Sequence, residues 1–145
     1  MFVRVLRDGN PEFSITDREI KEALTIFCQE YELSIRGIDI ILTDSASQTK
    51  HNTSLLNHQY DTDVITQERK TPMGLHLELY INGTKVFLED NERPNSYILR
   101  MVFHGLLHVV GYTDGSEREK GIMHLEENRL LELFHVEHKA DRYDG

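Results

Sequence analysis

The chain has few of the residues that mark disulfide-rich, fibrous or membrane proteins. Its 145 residues include one cysteine, three prolines and no tryptophan. The single Cys28 cannot form an internal disulfide, which is typical of a reducing compartment. No apolar run approaches membrane-spanning length, and the first residues (MFVRVLRD) lack the apolar segment of a signal peptide. These absences predict a cytoplasmic protein with no membrane partner.

Positive charge is also scarce. The chain has 16 lysines and arginines against 25 acidic residues, a net charge of −9. This balance disfavours general electrostatic binding to nucleic acid. A protein of this charge that acts on RNA needs a local cationic patch, a bound metal or a basic partner. The length and the 39% share of hydrophobic residues predict a single globular domain over residues 1–145.

The segment Ser96–Val110 organises the chain. It is apolar on nearly every side, which predicts a helix buried in the core. Its few polar side chains, Arg100, His104 and His108, recur every four residues and therefore share one narrow stripe. Buried polar groups need partners. The stripe is therefore either a hydrogen-bonded set of core histidines or part of a metal site.

The residues after this helix favour the metal. Gly111 is placed to end the helix in a left-handed conformation, and Asp114 follows after the turn. Histidines at i and i+4 offer two nitrogen ligands on one helix face, and the turn brings a carboxylate as the third. Three protein ligands leave a fourth position for water, as in catalytic zinc sites. We predict one zinc ion per chain, bound by His104, His108 and Asp114, with metal-bound water as the reactive group.

One position argues against peptide hydrolysis. In zinc proteases with the H-E-x-x-H motif, the glutamate after the first histidine is the general base. The corresponding residue here is Gly105. A peptidase would therefore lack its usual proton acceptor.

The segment 104–114, HGLLHVVGYTD, resembles the signature of the YbeY family of metal-dependent endoribonucleases, also called rRNA maturation factors. That signature reads H-G-x-L-H-x-x-G-Y and continues with Asp-His or a similar pair. Asp114 stands where the family usually has a third histidine. The segment 62–66, TDVIT, resembles a second family signature, but the arginine that many members carry before it is missing.

The resemblance implies a function. It implies hydrolysis of single-stranded RNA in ribosomal RNA maturation, including the 3′ end of the small-subunit RNA, and in ribosome quality control. The implied partners are single-stranded and ribosomal RNA, with ribosomal subunit proteins as further candidates. The alternatives are a metallohydrolase of another substrate such as peptide, and a non-catalytic ribosome-assembly factor with structural zinc. The sequence does not decide whether the nucleophile is zinc hydroxide or the 2′-hydroxyl of the RNA.

Two further residues are candidates beside the metal. Arg100, one turn before His104, is either a catalytic cation that stabilises charge on the reacting phosphate or a buried structural cation. Glu126 falls on the apolar stripe of the last helix and needs a partner. A hydrogen bond to a ligand histidine or an ion pair with Arg100 would satisfy it, and a surface carboxylate is the alternative. His124 lies on the opposite side of that helix and is predicted to be a surface residue.

Pattern and resemblance together predict an α+β fold, in which a small mixed four-stranded sheet packs against helices and the metal helix is central. Strands are predicted at 2–7, 35–42 and 75–81, and Asn82-Gly83 predicts a hairpin turn into 84–88. Capping boxes predict a first helix from Thr16 to Tyr31 and a last helix from Ser116 to about Phe134. A weak helix is expected after Asp44, and residues 136–145 are expected to form a flexible tail.

Overall fold

The computed structural model describes residues 1–12, 15–56, 63–84 and 92–144, with side chains as far as His135. The elements in chain order are β1 (Phe2–Asp8), α1 (Asp17–Tyr31), β2 (Gly37–Thr43), α2 (Ser45–His51), β3 (Val64–Thr71), β4 (Gly74–Asn82), α3 (Pro94–Val109) and α4 (Glu117–Asp144). A π-helical turn, Asn52–Leu56, follows α2 directly.

The strands form one mixed sheet in the order β1-β2-β4-β3. β1, β2 and β4 run parallel to one another, and β3 pairs antiparallel with β4. This confirms the predicted α+β class and the small mixed four-stranded sheet. β3 is an edge strand, and α3 packs against both β3 and β4.

β3 and β4 form a hairpin that the sequence analysis missed. Thr71 pairs with Gly74 across Pro72 and Met73, and Gly74 has a φ of +126°, which glycine adopts without strain. Most of β3 reads QERKT, without the alternating apolar residues that reveal a half-buried strand. The predicted hairpin from Asn82-Gly83 enters residues 85–91, which lie outside the described residues.

The core lies between one face of the sheet and the helices α1, α3 and α4. All seven residues of β2 are buried. The central helix α3 is buried along most of its length, as predicted, with Tyr97 and Phe103 among the largest fully buried side chains. Fully burying a large apolar side chain contributes roughly 1.5–3 kcal/mol. α3, which carries His104 and His108, is therefore held firmly in the core.

The helix starts agree with the sequence analysis. In both capping boxes the hydroxyl accepts a hydrogen bond from the backbone N–H three residues on: Thr16 from Glu19 and Ser116 from Glu119, each at 3.1 Å. Asp44 caps α2 in the same way. The backbone of α4 runs to Asp144, ten residues beyond the predicted end near Phe134. The flexibility expected of residues 136–145 stays a prediction.

In the described parts of the chain, none of the helices combines the length and apolar character needed to cross a bilayer.

Candidate metal centre

The helical repeat of α3 places His104 and His108 one turn apart on the same face. Their side chains are 18% and 31% exposed. The helix ends at Val109, and Gly111 takes a φ of +108°. Because a left-handed glycine reverses the chain direction, Asp114 returns toward the two rings. Its carboxylate is 45% exposed, so the group lies at the surface end of the site.

The three side chains converge on one point. Nε2 of His104 lies 3.1 Å from Nε2 of His108. One carboxylate oxygen of Asp114 lies 3.5 Å from the first nitrogen and 3.3 Å from the second. Tetrahedral zinc holds nitrogen and oxygen ligands at about 2.0–2.2 Å, which separates any two of them by about 3.3–3.6 Å. The donor atoms therefore have the spacing that a tetrahedral ion requires.

The other nitrogen of each ring fixes its orientation. Nδ1 of His104 donates to a carboxylate oxygen of Glu127 at 2.7 Å, and Nδ1 of His108 donates to the backbone carbonyl of Tyr112 at 3.0 Å. Both partners are acceptors, so each neutral ring carries its proton on Nδ1 and presents a lone pair at Nε2. Two lone pairs and a carboxylate within 3.5 Å of one another repel unless a cation lies between them. The donor set fits a metal ion.

The charges around His104 favour a cation at this place. Burial disfavours the protonated ring, but the hydrogen bond and charge of Glu127, with the charges of Asp63 and Asp114, outweigh it. They raise the pKa of His104 above its ordinary value. The same negative potential that favours a proton on the ring attracts a metal cation to it.

Glu127, rather than Glu126, is the carboxylate beside the histidines, which corrects the sequence analysis. The side chain of Glu127 is 4% exposed. Glu126 instead accepts hydrogen bonds from the Tyr31 hydroxyl and from Arg129, and this pairing lowers the pKa of Glu126. Successive helical residues differ by about 100° in direction, so the rotation of α4 about its own axis decides which of the two faces α3.

Glu126 contacts the surroundings of His108 indirectly, through Tyr31 and Tyr112. The Tyr31 hydroxyl donates its proton to Glu126 and can accept a hydrogen bond from the Tyr112 hydroxyl, whose oxygen lies 3.3 Å away. The rings of Tyr31 and Tyr112 meet edge to face, with centroids 6.1 Å apart. Since the Tyr112 carbonyl holds His108, this contact ties α1 to the second histidine.

Arg100 is engaged by carboxylates. Its guanidinium makes two hydrogen bonds of 2.8 Å to Glu92 and lies 3.6 Å from Glu127. With a side chain that is 9% exposed, Arg100 matches the structural alternative better than the catalytic one. It neutralises the buried Glu127 that orients His104.

His124 lies at the surface, as predicted, with a side chain that is 48% exposed. Its Nδ1 is 3.8 Å from Glu127, and His124 is not one of the three converging donors. Within the described part of the chain, His104, His108 and Asp114 form the group whose donor atoms lie close enough together to hold a metal ion.

A cleft of about 330 Å³ opens beside the three donors, and β3 forms its other wall. Its lining includes Asp63, Thr66 and Glu68, together with Leu56. Asp63 lies in the second signature, where one carboxylate oxygen accepts a hydrogen bond from the N–H of Val64 at 2.8 Å, so it caps the strand and also faces the cleft. Thr62 lies outside the described residues. Glu68 was not singled out from the sequence, because nothing local distinguishes it from a surface carboxylate.

Gly105 is required by close packing. A Cβ atom there would lie 2.8 Å from Leu79 and 2.9 Å from the Thr66 hydroxyl. A side chain at the position that carries the general base in H-E-x-x-H proteases would therefore have to displace Leu79 and Thr66. The helix can approach β3 closely, which brings the cleft wall next to the histidines.

Comparison with known proteins agrees with the site. The family model described as Endoribonuclease YbeY matches residues 9–135. A protein of that name from Christiangramia forsetii is 32% identical over 110 residues, covering 71% of this chain and 74% of the relative. Another, from Chlorobium phaeovibrioides, is 26% identical over 124 residues, covering 83% of this chain and 84% of the relative.

A solved structure has the same fold. The solution structure of a Thermotoga maritima protein superimposes with a TM-score of 0.61 over 99% of this chain and 96% of the other, at 17% identity. The family model covers most of the chain, including both signatures and every donor of the candidate metal centre. The chain belongs to the family of the endoribonuclease YbeY.

Proposed function

We propose that this protein is a zinc-dependent endoribonuclease that cleaves single-stranded RNA. Its family supports the endoribonuclease activity. The observation that carries the proposal is the convergence of His104, His108 and Asp114, whose donor atoms lie 3.1–3.5 Å apart beside an open cleft. The biological role that we propose is ribosomal RNA maturation, including the 3′ end of the small-subunit RNA, and ribosome quality control in the cytoplasm.

The ligand chemistry favours zinc. Two imidazole nitrogens and one carboxylate oxygen form a set that zinc binds well, and three protein ligands leave room for water. We propose one ion per chain. Asp114 replaces a neutral histidine of the family by a charged ligand, which reduces the net positive charge of the centre and makes the ion a weaker electrophile.

The ion, when bound, would activate a water molecule and polarise a phosphoryl oxygen. The protein's own groups prepare the site for this. Glu127 and the Tyr112 carbonyl keep both Nε2 atoms unprotonated and aimed at the same point. Asp63 and Glu68, on the opposite wall of the cleft, are the groups that we propose as proton acceptors.

The shape and charge of the cleft favour single strands. The histidine side chains are only 18% and 31% exposed and line the cleft, so a phosphate has to enter the cleft to reach them. A single strand can bend to bring a phosphate in, whereas a duplex holds its phosphates in a regular helix. Carboxylates on the cleft wall repel the RNA backbone, so the metal has to supply much of the local attraction.

The test is RNA cleavage by the metal-loaded protein and by His108→Ala prepared in parallel. We expect the wild type to cleave and the variant to lose activity, since two of three ligands hold zinc poorly. The product ends identify the nucleophile, because attack by the 2′-hydroxyl leaves a cyclic phosphate and attack by water does not. Equal cleavage by both proteins would show that a contaminating ribonuclease is responsible.

A further inference from the structure

The second face of the sheet is covered only in part. α2 packs over one end of it, where Ile41, Ile65 and Tyr80 are buried. At the other end a row of residues lies side by side across all four strands: Phe2, Gly37, His76 and Arg69. Phe2 is 69% exposed. An aromatic ring is therefore displayed on an open sheet surface.

One cation contacts this ring, and two more lie at the same end of the sheet. The guanidinium of Arg36 lies 5.3 Å from the centre of the Phe2 ring. Backbone hydrogen bonds fix Arg36 between β1 and β4, since its N–H donates to Leu75 at 2.8 Å and its carbonyl accepts from Phe2 at 3.0 Å. Arg69 and Lys70 lie near the end of β3, at the same end of the sheet as Phe2 but on the opposite edge strand, roughly 14 Å away across three strand spacings, and both are exposed. We call Phe2, Arg36, Arg69 and Lys70 the sheet-end patch.

These cations are available to a ligand. Within the part of the chain that the structure describes, Arg36, Arg69 and Lys70 form no ion pair. The carboxylates on this face are engaged elsewhere: Asp39 pairs with Arg4 at 2.8 Å and lies 3.4 Å from His76, and Glu78 accepts a hydrogen bond from Tyr80. In a chain with a net charge of −9, these three cations lie at one end of the sheet together with an exposed aromatic ring.

β3 connects the patch to the metal cleft. Thr66 and Glu68 line the cleft, and Lys70 follows on the same side of the strand, about 13 Å from Thr66 at 3.3 Å per residue. Arg69 points to the opposite side, where it shares the row with Phe2. The end of β3 therefore carries a cation on each face. An RNA strand that leaves the cleft along β3 meets Lys70 first, because Lys70 is on the cleft side of the strand, and meets Arg69 only after passing to the other face.

We propose that the sheet-end patch is a second contact for single-stranded RNA, next to the metal cleft. Arg69, Lys70 and Arg36 bind phosphates, and the face of Phe2 that Arg36 leaves free stacks on a base. The inference rests on the proposed function, because it assumes that RNA occupies the cleft. It also explains how an acidic chain holds an anionic substrate: the cations that contact RNA are concentrated beyond the carboxylates of the cleft.

Binding without cleavage isolates the patch. The probe is a fluorescent single-stranded RNA of about 16 nucleotides, a length that a single-strand-binding surface can occupy. With a chelator present, its affinity for the full chain is measured over a range of salt concentrations. For Arg69→Ala/Lys70→Ala we expect weaker binding and a salt slope reduced by about 1.4, since each phosphate contact to a single strand contributes about 0.7. Arg18→Ala/Lys21→Ala on α1 removes the same charge elsewhere on the surface and should leave binding nearly unchanged.

The aromatic contact is tested separately. Phe2→Tyr keeps a ring that can stack, whereas Phe2→Leu keeps apolar bulk without one, so we expect about a tenfold loss of affinity for the leucine variant alone. Both changes are at an exposed position, and thermal melting confirms that they fold.

The outcomes separate the patch from the proposed function. Wild-type binding by the Arg69/Lys70 variant, or an equal loss in the Arg18/Lys21 control, overturns the patch. With metal present, we expect the Arg69→Ala/Lys70→Ala variant to have a higher KM for RNA than the wild type and a similar kcat. If the wild type fails to cleave RNA but the patch variants still weaken binding, the proposed function is wrong and the patch stands. If the wild type cleaves and the Arg69/Lys70 variant keeps its KM, the patch is wrong and the proposed function stands.

Discussion

His104 and Glu127 are joined by a 2.7 Å hydrogen bond that links the metal helix α3 to the last helix α4. Glu127 is almost fully buried, and its other close partner on α3 is Arg100, 3.6 Å away. A buried carboxylate between a guanidinium and an imidazole fixes the ring in one tautomer. The geometry of the candidate metal centre therefore depends on the packing of α4, although α4 supplies none of the three converging donors.

Glu127→Gln should weaken metal binding. The amide oxygen can still accept from Nδ1 of His104, but the charge that increases the basicity of the ring is lost. Changes of this kind typically lower metal affinity about 10–100-fold. Competition with a chelating dye measures the affinity.

Glu126→Gln is the matched control, with the same change in charge one residue earlier. Because Glu126 binds Tyr31 and Arg129, its loss should affect metal affinity far less. A larger effect at Glu126 than at Glu127 would show that the register of α4 differs from that described.

Asp114→Ala should lower the zinc content, which is expected to be one ion per chain in the wild type. Asp114→His should retain the metal, because imidazole is the ligand that the family usually carries there. His124→Ala should leave the content unchanged, since His124 lies outside the converging group. Elemental analysis of the purified proteins measures all three. Loss of metal from the His124 variant alone would identify His124 as the third ligand.

Gly105→Ala should destabilise the fold by about 1–3 kcal/mol, because the added methyl group would overlap Leu79 and Thr66. Gly121→Ala on α4 is the contrasting control. A Cβ there meets nothing within 4 Å, and alanine is preferred to glycine in a helix, so stability should rise by up to about 1 kcal/mol. Urea denaturation gives both values. A neutral Gly105→Ala would mean that α3 lies further from β3.

The metal-loaded protein should cleave single-stranded RNA, spare duplex RNA and lose activity as salt rises. Removal of zinc by a chelator should stop cleavage, and added zinc should restore it. Gel analysis of one sequence with and without its complement makes the comparison. If neither the wild type nor His108→Ala cleaves RNA while both bind a ribosomal subunit, the assembly-factor alternative is correct.

The sequence predicted features that depend on local geometry. His104 and His108 share a face because the helical repeat brings residues four apart into line, and Gly111 turns the chain because glycine takes positive φ readily. The capping boxes at Thr16 and Ser116 are also local, because each hydrogen bond joins residues only three positions apart. Family membership follows from the same short segments, which sequence comparison then confirmed over residues 9–135.

Tertiary packing decided the rest. Whether Glu126 or Glu127 faces His104 depends on the rotation of α4 against α3, which the apolar pattern of α4 defines only loosely. The partner of Arg100, Glu92, precedes α3 in a polar loop, and the polar strand β3 forms because β4 supplies its hydrogen bonds. The spacing of histidines within one helix is set by the backbone itself. The groups that orient them come from distant parts of the chain, and only the packed structure brings those parts together.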